Sequence, residues 1–219
     1  MKIQKRSLIA IVLLFGLTPI LYWQLNKMGY LPPINYWLTS EDISKTINTT
    51  STSLKLLNYQ RSLSNIIPSP INKSQTAILI EKSNYKLTLY YQNKPIKSYP
   101  MVLGGSPQGD KMREGDYKTP EGIFQVRDLY PHSSWSKFIW LDYPNQESWR
   151  KHLEAKRTGK IKPSDTVGSE IGIHGVPQNG DYLIDRRSNW TWGCISLKNK
   201  DVDEIYGVIE AGTQVEIIP

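Results

Sequence analysis

Hydrophobic and polar positions follow different rules in successive parts of the chain. An unbroken apolar run, Leu8 to Leu17, is continued by Ile20, Leu21, Tyr22 and Trp23. From Tyr30 to Ser74 no period is sustained, and Ser, Thr, Asn and Pro dominate. From Gln75 onward, short alternating stretches separated by turn residues take over, the pattern of strands with one buried face.

Within that last region the pattern predicts particular elements. Thr76 to Ile80, a turn at Ser83-Asn84 and Lys86 to Tyr91 read as a hairpin; a second turn at Gln92-Asn93-Lys94 leads into Ile96 to Leu103, giving a meander of three strands. Thr119-Pro120-Glu121-Gly122 suits a type I turn and precedes a strand from Ile123 to Val126. Asn145 to Thr158 has the helical period, with Trp149 and Leu153 on one face. A second helix is expected from Asp201 to Ile209, its amino end complemented by Asp201, Asp203 and Glu204. Gly212-Thr213 then turns into a closing strand, Gln214 to Ile218. The fold class expected is mainly β with short helices.

The amino-terminal run changes the picture from a soluble domain to an exported one. Lys2, Lys5 and Arg6 precede it, and Tyr22-Trp23-Gln24 follows where a cleavable signal would carry small residues. Residues 1–29 are therefore expected to be an uncleaved transmembrane anchor, with its basic end cytoplasmic and the remainder outside. Residues 30–75 read as a stalk, able to reach on the order of 150 Å if extended. Weak helical patterns interrupt it after Thr39-Ser40 and around Leu54, Leu57, Leu63 and Ile66. Residues 76–219 form the domain.

Charge and composition narrow the function classes. The net charge of +7 includes Lys2, Lys5, Arg6 and Lys27 with no acidic residue before Tyr30, so the rest of the chain carries only +3. No basic stripe with interleaved aromatics remains, which speaks against nucleic-acid binding. A single cysteine in an exported chain has no internal disulfide partner; it is a packed thiol or a reactive one. His132 and His152 lack the short spacings of a zinc site, so neither a metal nor a cofactor is expected.

The chemistry concentrates between Ile171 and Lys198. Ile171-Gly-Ile-His-Gly175 is followed by Trp190-Thr-Trp-Gly-Cys-Ile-Ser-Leu197. A nucleophilic thiol needs a base or a cationic partner, and imidazole suits that task near neutral pH. Gly193 lets the backbone turn tightly before Cys194, so that the N–H groups of Gly193 and Cys194 can face an oxyanion.

This chain resembles the L,D-transpeptidase catalytic domain (YkuD type) of bacterial cell-wall enzymes from about Thr76 to Ile218. The resemblance rests on Leu87-Thr-Leu-Tyr90, Tyr99-Pro-Met-Val-Leu-Gly104, the segment Gly109 to Phe124, Tyr143-Pro-Asn145, Ile173-His-Gly175 and Gly193-Cys-Ile195, all in order. Most of the family has Ser-His-Gly-Cys before the nucleophile; here Thr191-Trp192-Gly193-Cys194 stands instead, as in a branch reading Trp-Thr-x-Gly-Cys-Ile-Ala. The resemblance implies a β-sandwich-like domain in which Cys194 attacks the carbonyl at the L-centre of diaminopimelate in a peptidoglycan stem peptide. Terminal D-alanine is then expelled, and the thioester passes to an amine. It implies His174 as base, the Gly175 carbonyl as the group orienting the imidazole, and carbapenem-type acylating inhibitors as ligands. It also implies a periplasmic domain tethered to the inner membrane.

Arg186 and Arg187 are candidates for holding stem carboxylates, with a solvated charged loop as the alternative. Trp192, in the place of the family's second histidine, is a candidate for the acyl-donor groove. Glu114, Asp116 and Glu121 read as turn-forming and ion-pairing residues. Other readings stay open. Water could resolve the thioester, making the protein a murein hydrolase of the carboxypeptidase, amidase or endopeptidase kind, or the domain could be a non-catalytic peptidoglycan-binding module. A sortase is disfavoured because no Arg follows Cys194.

Overall fold

A computed structural model describes Pro19 and residues 56–67 and 69–219. The expected anchor, Pro19 apart, and the expected stalk as far as residue 55 lie outside the described residues. Among the described residues no helix is long and apolar enough to cross a membrane.

The elements are β1 (Thr76–Glu81), β2 (Lys86–Tyr91), β3 (Lys94–Pro100), β4 (Gly122–His132), β5 (Ser136–Leu141), α1 (Gln146–Arg157), β6 (Gly172–His174), α2 (Asp181–Asp185), β7 (Ile195–Ser196), α3 (Asn199–Val208) and β8 (Gln214–Ile218). The strands join in one eight-stranded sheet ordered β3-β2-β1-β8-β4-β5-β6-β7. The sandwich-like arrangement expected from the resemblance is thus replaced by a single continuous sheet. β8, last in sequence, closes its centre, pairing parallel with β1 and antiparallel with β4. β1 is buried on both faces at Ile78, Leu79 and Ile80, which explains its near-continuous apolar run.

The helices cover the sheet, α1 burying Trp149 with Ser148, His152 and Ala155, while Leu153, expected on the same face, is half-buried. Trp149 of α1 and Val202 and Ile205 of α3 join Ile78, Leu87, Tyr99 and Ile173 in one core. Asn145 caps α1 by accepting from Ser148 N at 3.0 Å. Residues 56–67, within the expected stalk, are seated on β3 and α3. Leu57 O accepts from Ser98 N, Tyr59 donates its hydroxyl to Asp201 at 2.9 Å, and Leu63 enters the core.

Two departures from the expected elements bear on the site. The strand expected to end at Val126 continues to His132 and turns back as β5. The alternation is lost there because a register shift falls between Val126 and Asp128, and much of β4 beyond it is solvated. The third strand ends at Pro100, not Leu103. Met101, Val102 and Leu103 stay buried, and Val102 leaves the β2 partnership to bridge Ser196 beside the cysteine.

The loop before β4 is fastened by Lys82, which is 3% exposed and donates to Gly109 O at 2.6 Å, Thr119 O at 3.0 Å and Glu121 Oε1 at 2.8 Å. All three ammonium hydrogens have acceptors. Lys82→Met leaves those acceptors unpaired in a closed space and is expected to cost about 3 kcal/mol. Chemical denaturation should show a lower midpoint at an unchanged slope.

Candidate active site

The short strands β6 and β7 carry the chemistry. They run parallel, with Ile173 opposite Ile195 and His174 opposite Ser196. The isoleucines are fully buried in the core, so His174 and Ser196 share the opposite face. Cys194, one residue before β7, falls on that face by the same alternation, displaced from His174 by two residues, roughly 7 Å along the strands. The polar groups beside buried apolar ones in the sequence thus stand on neighbouring strands, His174 in β6 and Cys194 one residue before β7.

The imidazole is held from several sides. His174 Nδ1 lies 2.7 Å from Gly175 O, and a carbonyl only accepts, so Nδ1 carries the hydrogen and Nε2 keeps its lone pair. Ser196 Oγ donates to the same carbonyl at 3.2 Å. Trp135 stacks on the ring at 4.4 Å between centroids, Phe138 lies nearly parallel at 5.9 Å, and Trp190 meets it edge-on at 5.5 Å. Gly175 N donates to Trp135 O at 3.0 Å, tying the turn after β6 to the tip of the β4–β5 hairpin.

Burial pushes the imidazole down to about 4, against the Gly175 bond that favours its charged form. Burial also pushes the Cys194 thiol up to about 11, while the Gly172 backbone and the Lys111 charge act in the other direction. Both groups are therefore neutral in the resting site. The thiol donates weakly to Glu170 O at 3.4 Å. The unfolded chain binds more protons than the folded one between about pH 4 and 6.5, so the His174 contribution to stability is complete above 6.5 and is lost as pH falls to 4. Over that window the stability advantage of the wild type over His174→Gln should shrink by on the order of 3 kcal/mol in equilibrium unfolding.

The turn into Cys194 needs glycine at 193. Its φ is +137°, and a Cβ there would meet Lys118 O at 2.7 Å and Ile171 Cδ1 at 2.9 Å. Thr191 Oγ1 accepts from Gly193 N at 3.2 Å and donates to Cys194 O at 2.6 Å. The Gly193 N–H, expected to face an oxyanion, is thus engaged by a side chain two residues upstream. Sequence reasoning did not find Thr191 in this role.

The remaining expected residues divide. Trp192 stands beside Cys194, 79% exposed, meeting the exposed Tyr117 edge-on at 6.2 Å. Arg186 packs over the Tyr182 ring, and Arg187 over Tyr85. Arg187 lines a cavity of about 270 Å³ with Leu56, Tyr59, Lys86 and Met101, none of which surrounds the thiol or the imidazole. Glu121 pairs with Lys82, Asp116 pairs with Lys111, and Glu114 binds Thr166. His132 stacks on Trp135, and His152 donates from Nδ1 to Met112 O. Among the described residues no cluster of His, Cys, Asp or Glu suits a metal ion. Trp135 and Phe138 gave no sequence signal because the hairpin that carries them was not legible.

Comparison with known proteins gives a family. The profile of the YkuD L,D-transpeptidase catalytic domain matches residues 75–217. YafK of Escherichia coli strain K12, whose assignment as an L,D-transpeptidase is provisional, is 26% identical over 159 residues, covering 67% of this chain and 54% of that protein. The chain spans about half the length of that curated relative. Among solved structures, the helical cell shape determining protein Pgp2 from Campylobacter jejuni gives a TM-score of 0.48 at 24% identity, covering 65% of this chain and 46% of that one. Bd1075 of Bdellovibrio bacteriovorus gives 0.45 at 25%, covering 66% and 48%.

Proposed function

Because the chain belongs to the L,D-transpeptidase catalytic domain family, we propose that it is a peptidoglycan-modifying cysteine acyltransferase with Cys194 as nucleophile and His174 as base. One observation carries the residue assignment. The Nδ1–H of His174 is committed to Gly175 O, which leaves Nε2 as a bare acceptor on the face that Cys194 shares.

The chemistry follows from those neutral groups. The thiol is protonated at rest, so deprotonation comes first. Nε2 takes the thiol proton, and the thiolate Sγ then bonds to the carbonyl carbon at the L-centre of diaminopimelate. The Cys194 N–H stabilises the developing oxyanion, and the Gly193 N–H joins it when its bond to Thr191 Oγ1 is exchanged. The imidazolium then protonates the departing nitrogen, D-alanine leaves, and a thioester remains. An amine from a second stem attacks it as Nε2 again accepts the proton, forming a cross-link and restoring the thiol. Water at the same step gives the hydrolase outcome.

Trp192, two residues before Cys194 and exposed beside Tyr117, is assigned to the acyl-donor groove. Arg186 and Arg187 keep a role only for parts of the substrate that extend past the reacting carbonyl, since they stand with Tyr182 and Tyr85. A carbapenem, whose strained carbonyl a thiolate opens, fits the same chemistry. The basic-flanked apolar run at the amino end supports a single-pass anchor in the inner membrane with the domain in the periplasm.

Incubating purified sacculi with the full chain and separating the muropeptides tests this reading. Loss of D-alanine with new cross-links between diaminopimelate residues is the expected result. Trimmed or severed stems without new cross-links would assign water as the acceptor. An unchanged profile would contradict the enzymatic reading and leave the binding module.

A further inference from the structure

The loop between β3 and β4 meets two buried lysines, Lys82 from the β1–β2 turn and its own Lys111, with different partners. Lys82 reaches into it with all three ammonium hydrogens paired, a structural fastening. Lys111 is 5% exposed, yet among the described residues its Nζ has one acceptor, Asp116 Oδ1 at 2.8 Å. That carboxylate is already shared. Its Oδ1 also accepts from Lys118 N at 3.0 Å, and Oδ2 accepts from Met112 N at 2.8 Å and Arg113 N at 3.1 Å. Burial works against the charged form of Asp116, but the Lys111 bond and the backbone N–H groups hold its carboxyl below the usual range. Three peptide N–H groups thus share with the ammonium its one carboxylate partner. A buried ammonium is costly, and an apolar side chain of similar volume is often no less stable there.

The position of the loop explains what the charge does. Lys118 O presses on Gly193, the residue before the cysteine. On its other side Glu114 N donates to Thr166 O at 2.8 Å, and a Cβ on Gly168 would lie 3.3 Å from Glu114 Cα. The loop therefore bridges the turn that carries Cys194 and the segment 166–172 whose Glu170 O receives the thiol. The ionisable and charged groups disposed around that thiol are Glu170 before β6, Tyr130 on β4 and Lys111, with His174 on the neighbouring strand β6. Lys111 is the cation among them.

We propose that Lys111 is a positioning residue that acts through Cys194: its buried ammonium, oriented by Asp116, stabilises the thiolate formed when His174 takes the thiol proton. This rests on the reading of Cys194 as nucleophile. The proton moves from Sγ to Nε2 and the negative charge stays on sulfur. The same charge later steadies the thiolate as leaving group when a tetrahedral intermediate collapses without going forward.

Cys194 is the single cysteine of the chain, so the pH dependence of its alkylation by iodoacetamide reads this thiol alone. Lys111→Met is expected to move the profile about one unit to higher pH, a tenfold slower reaction at pH 8. Lys111→Arg keeps the charge and should restore most of the rate. Asp116→Asn frees the ammonium of its counter-charge and should move the profile the other way, to lower pH. A merely structural loop would move both variants in the same direction. An unmoved profile for Lys111→Met, or shifts of one sign for both variants, overturns the proposal. If Lys111→Met does not fold, Asp116→Asn decides alone: a profile at lower pH supports the proposal, and one unmoved or higher overturns it. Alkylation needs no peptidoglycan, so a protein that alkylates as expected but leaves sacculi unchanged refutes the proposed function and not the role of Lys111.

Discussion

Cys194→Ala is expected to lower release of D-alanine from a stem tetrapeptide by on the order of 10⁴-fold or more, with the fold intact. The size follows from the role: without Sγ no thioester forms, and neither His174 nor the backbone N–H groups can replace a covalent step. The stability cost should be small, about 1 kcal/mol or less, because Sγ contributes only weak bonds, to Glu170 O and the Gly172 backbone, from a half-buried position. Activity and thermal unfolding measured on one preparation separate the two effects. A variant that loses both would mean that the thiol is a packing residue.

Gly175→Ala is expected to damage stability and chemistry together. A Cβ at this position would lie 2.0 Å from Asn199 Oδ1 and 2.5 Å from Trp135 O, far inside contact distance. Relief requires the turn after β6 to move, and with it the carbonyl that orients His174 Nδ1. The expected cost is about 3 kcal/mol in unfolding free energy and on the order of 10²-fold in turnover from a displaced base. Gly207→Ala is the natural control. That glycine lies near the end of α3 with nothing within 4 Å of a Cβ, so alanine should stabilise by up to about 1 kcal/mol and leave turnover alone.

Much of this was legible in the amino-acid pattern because burial on one or both faces leaves a period. β1, β2, β8, α1 and α3 stand close to where alternation and the helical period put them, since each commits an apolar face to the core. The β4–β5 hairpin was not legible beyond Val126. Its far half is solvated, its register shifts, and Pro131 interrupts it, so no period survives. That hairpin carries Trp135 and Phe138, and the surroundings of His174 were hidden with it. Cys194 and His174 were legible as candidates because Gly, His and Cys stand out between buried isoleucines. Thr191 and Lys111 were not, because their roles depend on contacts made across the fold. Arg186 and Arg187, proposed from adjacency in sequence, follow α2 and lie over the rings of Tyr182 and Tyr85, contacts that the sequence did not show.

The central claim is that Cys194 forms a thioester with a stem peptide. Mixing the protein with tetrapeptide, quenching in acid within the first turnover and weighing the intact chain and its peptides tests this directly. The account predicts a mass increase equal to the tetrapeptide less D-alanine, located on Cys194 and absent from Cys194→Ala. Turnover with no adduct on Cys194, or an adduct that persists in Cys194→Ala, would contradict it.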